Sequence, residues 1–217
     1  MIQSELIIPI ASVIISITAA TLLLVQDWRI SLIVLALQYL CVFVLIIPVW
    51  PLPMAAAKLI SGWIAAAVLG MAISANPDLR SGLRAANHML VNPATETAQF
   101  QSAAGGLGIA FRILTAGLVA LTIASQLELV TSWLPKITAE YAWTGLMLIG
   151  FGLIKLGFTF QPFHILLALL TALAGFEILY AVLEPSVISA GLFATVTLAI
   201  SLVGAYLLTA PYMEEEA

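Results

Sequence analysis

Seven apolar runs, each close to twenty residues long and separated by polar or proline-bearing breaks, dominate this chain. They lie approximately at Leu6–Val25, Ile30–Val49, Pro53–Ala75, Leu107–Leu127, Tyr141–Phe160, Phe163–Leu183 and Ser186–Thr209. A helix of about 20 residues, rising about 1.5 Å per residue, matches the roughly 30 Å hydrocarbon layer of a bilayer. Lipid offers no hydrogen bonds, so a spanning segment is either a helix or a strand of a closed barrel. Barrel strands would alternate over segments of about ten residues, and these runs are longer and unbroken. The predicted fold class is all-α: a single polytopic transmembrane helical bundle of about seven TM helices over residues 1–217.

Composition points the same way. The 217 residues are 63% hydrophobic and 8% charged, against about 25% charged in soluble domains. The expected solvent for most of the surface is therefore the lipid bilayer. Net charge is −4, and no basic patch exists to neutralise phosphates, so no nucleic-acid partner is expected. The lone cysteine, Cys41, sits in an apolar run and reads as an inert thiol. Met1 to Glu5 carries no basic residue, so the first run is expected to be retained rather than cleaved as a signal peptide.

Polar punctuation separates the runs. Gln26-Asp27-Trp28-Arg29 forms one turn, Pro48, Pro51 and Pro53 bracket Trp50, and Gln161-Pro162 and Glu184-Pro185 mark the last two breaks. The division is three helices in 1–75, a cytoplasmic connection in 76–106 and four helices in 107–217. Within the connection, Asn76 can cap, Pro77 suits a first helical turn, and Arg80, Arg84 and His88 recur at spacing four. That pattern predicts an amphipathic helix on the membrane surface. Asn92–Gly106, rich in Ala, Thr, Gln and Gly, reads as loop.

Lys and Arg counts orient such a bundle. With seven spans, one side receives Arg29, Arg80 and Arg84, with Arg112 and Lys155 close by; the other receives Lys136, with Lys58 near it. The first side is expected to be cytoplasmic, which places the N-terminus outside and the acidic tail Glu214-Glu215-Glu216 in the cytoplasm.

No P-loop, dinucleotide fingerprint or His/Cys cluster is found, and no cofactor or metal is expected. Gly150-Phe151-Gly152 and the stripe Gly62, Ala66, Gly70 suit close helix packing. An intramembrane enzyme would need a nucleophile–base pair or metal ligands, and both histidines lie at or outside the membrane edge.

Charge in the middle of a membrane is expensive and marks candidate function. Glu177 lies about 20 Å from the cytoplasmic end of its helix. A glutamate cannot reach water from there, so it must be neutral, paired or facing a hydrated cavity. Lys58 lies roughly 8 Å inside the outer end of the third helix, and Glu177 about 9 Å inside the same side. Depth permits the two to pair; the alternative for Lys58 is snorkelling to the headgroups. Lys155 and Arg112 are near enough to the cytoplasmic edge to snorkel. Gln38, about 12 Å below that edge, suits a hydrogen bond between helices. His164 opens the sixth helix and Glu184 sits at the outer surface.

The stretches Leu148-Ile149-Gly150-Phe151-Gly152-Leu153-Ile154 and Ala174-Gly175-Phe176-Glu177-Ile178-Leu179-Tyr180-Ala181 resemble the K-type subunit of bacterial respiratory complex I and its Mrp-antiporter relatives. That family carries an intramembrane glutamate two residues after a glycine, as in Gly175-Phe176-Glu177. The chain departs from it in two places: the turn Gly157–Pro162 lacks the family's basic pair, and the last helix carries no second carboxylate. In length, the chain is more similar to the E-type membrane component of hydrogenase-4-type complexes, in which extra helices precede a K-type unit. Arg29-Ile30-Ser31 with Gln38, and Lys58 on the third helix, match that relative. The resemblance implies a non-catalytic membrane subunit of a proton- or ion-translocating complex, in a prokaryotic plasma membrane, partnered by antiporter-like subunits. It implies an ion path through Glu177, Lys58, Lys155, Arg112 and Gln38. A structural or assembly subunit and a small stand-alone transporter are the competing readings.

Overall fold

A computed structural model describes residues 2–77, 79–83, 98–159 and 161–213. It contains seven long helices: α1 (Ile2–Leu24), α2 (Trp28–Ile46), α3 (Leu52–Ala75), α4 (Ala98–Trp133), α5 (Ala139–Phe158), α6 (Pro162–Leu183) and α7 (Val187–Met213). Among the described residues there is no strand. All seven are long and apolar enough to cross a membrane, so the chain is an integral membrane protein built as a helical bundle.

The breaks form where local chemistry ends a helix. Asp27 caps α2, its side chain accepting from the Arg29 amide at 2.9 Å. Pro51 precedes α3 and Pro53 sits in its first turn, where a missing N–H costs nothing. Asn76 acts as the predicted cap: its Oδ1 accepts from the Leu79 amide at 3.2 Å, and residues 79–83 are helical. The remainder of the predicted amphipathic helix, with Arg84 and His88, lies outside the described residues.

One sequence expectation is corrected. Residues 98–106, read as loop, belong to α4, which runs on to Trp133. Alanine is the strongest helix former, and the Gln and Ser between the alanines tolerate a helix. Low hydropathy there disguised a continuation of the helix beyond its apolar span.

Packing is uneven. Helices α5 and α6 make the most intimate pair, and α3 lies along α7. Helix α1 rests on α2 and α5, while α2 reaches across to both α3 and α6. Helix α4 is peripheral; it touches α5 and, more lightly, α1, and of its described side chains Ile123 is the buried one. Leu114, Leu118 and Leu121 stand exposed along it, as expected where the solvent is lipid.

Small residues permit the tight contacts. A Cβ on Gly152 would lie 2.8 Å from the Ala168 carbonyl oxygen, and one on Gly62 would run into the Tyr39 ring. The two glycine patterns read as packing faces from the sequence are packing faces.

Aromatic donors pin helix ends together. Tyr141 donates to the Leu45 carbonyl and Trp50 Nε1 to the Ala181 carbonyl, each at 3.1 Å. These bonds gather the end of α2, the start of α5 and the end of α6 on one side of the bundle. The ends of α1 and α5 and the start of α6 meet on the other.

Candidate functional site: a buried ion pair and a distant cationic cavity

The third helix places Lys58 two turns in from Pro51, and the sixth places Glu177 less than two turns from its own end. Because α3 and α6 run in opposite directions, the two arrive at the same height. Lys58 Nζ is ion-paired with Glu177 Oε2 inside the bundle, with 4% and 1% of the side-chain surfaces exposed. Those exposures exclude snorkelling for Lys58.

Two further side chains complete the site, and neither was singled out in the sequence. Thr197 of α7 lies between the charges: its hydroxyl accepts from Lys58 Nζ at 3.4 Å and donates to Glu177 Oε1 at 3.5 Å. Both bonds are long, so the ion pair carries most of the interaction. Tyr39 of α2 presents its ring to Lys58 Nζ, 4.8 Å from the centroid, within cation–π range. Four helices therefore converge on one charge pair. Threonine is commonplace in membrane helices, so Thr197 left no mark in the sequence. Tyr39 left a faint one, since the bare Gly62 opposite it makes room for a ring.

Gln38 is fully buried, yet neither of its amide atoms meets a hydrogen-bond partner among the described residues. The expected bond between helices is absent there. Two other polar groups on the buried face of α2, the Ser31 and Tyr39 hydroxyls, are likewise without a partner among the described residues.

Lys155 and Arg112 come together, but at the opposite end of the bundle. Between Glu177 and His164 the α6 register alone spans about 20 Å. Lys155 does not reach the headgroups; it is buried and donates to the Leu22 carbonyl at the end of α1. The Arg112 guanidinium faces the side-chain oxygen of Gln26, in the amide orientation that satisfies both groups. His164 is buried beside them, with Nδ1 unpartnered among the described residues. Glu184 is exposed, as expected, and accepts from the Tyr180 hydroxyl at 2.9 Å. Cys41 is a free, half-buried thiol on α2.

The predicted ion-path residues thus fall into two groups with Gln38 between them in height. Lys58 and Glu177 are in contact; Lys155 and Arg112 form a separate cluster. Comparison of the chain with protein-family models, with curated proteins and with solved structures finds no match.

Proposed function

We propose that this protein is a non-catalytic membrane subunit of a proton- or ion-translocating complex, of the kind assembled from antiporter-like membrane subunits. Its working element would be the Lys58–Glu177 pair. The observation that carries this reading is the burial of that pair where four helices meet.

Taking two charges out of water is costly, and a buried ion pair seldom improves stability over apolar residues of the same size. A pair kept at such depth is explained by use. Protonation of Glu177 would neutralise the carboxylate and leave Lys58 held by the contacts it already makes with the Tyr39 ring and the Thr197 hydroxyl. A charge shift in a neighbouring subunit would bias that protonation. Lys155 and Arg112 supply positive charge towards the far side, and the distribution of Lys and Arg favours an outward N-terminus and a cytoplasmic tail.

Glu177→Gln, tested in the assembled complex, is expected to abolish coupled ion movement while assembly is retained. Normal ion movement by that variant would sink the proposal. A structural or assembly role is favoured by one observation of its own, the largely unpartnered apolar flank of α4. That reading predicts failed assembly after substitutions on α4 and normal ion movement in Glu177→Gln.

A further inference from the structure

The cluster at the other end of the bundle encloses a cavity of about 280 Å³. Gln26, Arg112, Lys155, Thr159, Gln161 and His164 supply its polar lining. Arg112 and Lys155 bring positive charge to the same space, and none of the described lining residues is a carboxylate. Among the described residues neither cation forms an ion pair.

We infer that this cavity is a binding site for a phosphate-bearing anion, either a phospholipid headgroup or free phosphate. Two neighbouring cations repel each other and lose hydration when buried; an anion between them offsets both costs. Two of the five Arg112 donors face Gln26, and the remaining N–H groups suit phosphate oxygens. The Leu22 carbonyl takes one of the three Lys155 donors and leaves the others. His164 is 6% exposed and lines the same cavity beside the two cations. Helix α6 begins at Pro162 with no side-chain cap bond, so its positive end adds to the same field.

Size and height agree with this ligand. The cavity exceeds several times the roughly 30 Å³ occupied by one water, which leaves room for a tetrahedral oxyanion. It lies where α1 and α5 end and α6 begins, at one end of the bundle. Basic pockets between helices near a membrane face suit anionic headgroups. This inference is independent of the role proposed for Lys58 and Glu177.

The test uses the full chain purified in a zwitterionic detergent. Its thermal midpoint is titrated with phosphatidylglycerol, with phosphatidylcholine and with inorganic phosphate, and retained lipid is weighed by native mass spectrometry. Phosphatidylglycerol or phosphate is expected to raise the midpoint more than phosphatidylcholine does. Arg112→Gln and Lys155→Met are each expected to weaken that binding about tenfold or more, as befits loss of a charge-assisted hydrogen bond. Lys136→Gln, at the opposite end, is expected to leave it unchanged. A response to phosphatidylglycerol alone assigns a headgroup, and an equal response to inorganic phosphate assigns the free anion. Where Arg112→Gln does not fold, Lys155→Met decides. No response to either anion, or a response that both variants keep in full, overturns the inference.

Discussion

A side chain on Gly175 would have to occupy the space of the Gly145 carbonyl oxygen, 2.5 Å from where its Cβ would stand. The contact holds α5 and α6 at backbone distance two residues before Glu177, so it also sets where that carboxylate points. Gly175→Ala is expected to destabilise the bundle by about 1–3 kcal/mol, the usual penalty for overpacking. Gly191→Ala, with nothing near its new methyl, should be neutral. Denaturation in mixed micelles measures both. An undisturbed Gly175→Ala would show that the α5–α6 contact yields easily and does not position Glu177.

The charge pair separates stability from use. Removing one partner of a buried pair leaves the other uncompensated, at a cost of about 3–5 kcal/mol. Lys58→Met alone should therefore be more destabilising than Lys58→Met combined with Glu177→Leu, which replaces both charges with apolar groups. A double-mutant cycle gives the coupling. Additive losses would mean that the two residues do not sense each other.

How much of this was readable beforehand depends on which physical signal each part leaves. The seven spans were legible because lipid demands continuous apolar runs, and the breaks were legible because Asp27, Pro51 and Asn76 cap or start helices. The height of Glu177 and Lys58 followed from counting residues. Their contact did not, since nothing in a sequence states which helices touch. Thr197 was invisible for the same reason: a hydroxyl gains meaning only when the fold places it between two charges. Gln38 misled, because a polar group in a membrane helix implies a partner, and its amide meets none among the described residues. The start of α4 misled in the opposite way, since helix propensity continued after hydropathy had stopped.

The two supporting residues should behave differently. Thr197 makes hydrogen bonds of 3.4 and 3.5 Å, so Thr197→Val is expected to cost less than about 1 kcal/mol. Tyr39 contributes its ring rather than its hydroxyl, which has no partner among the described residues. Tyr39→Phe should therefore be near neutral, whereas Tyr39→Leu should lose a cation–π contact of about 0.5–2 kcal/mol and the packing against Gly62. Equal losses in Tyr39→Phe and Tyr39→Leu would assign the role to the hydroxyl instead.

Orientation turns on which basic residues reach an interface. Lys58 is paired in the interior, so it drops out of the count for its side of the bundle. That leaves Lys136, exposed after α4, against Arg29 and Arg80 on the other side, which strengthens the expected bias. In a Cys41→Ala background, Lys136→Cys should react with an impermeant maleimide on intact cells. Arg29→Cys should react only after the membrane is opened. Both positions belong to polar breaks, so labelling there probes sidedness without disturbing either charge cluster. The reverse pattern would invert the bundle. It would put the cationic cavity at the outer leaflet and move the Lys58–Glu177 pair to the cytoplasmic half.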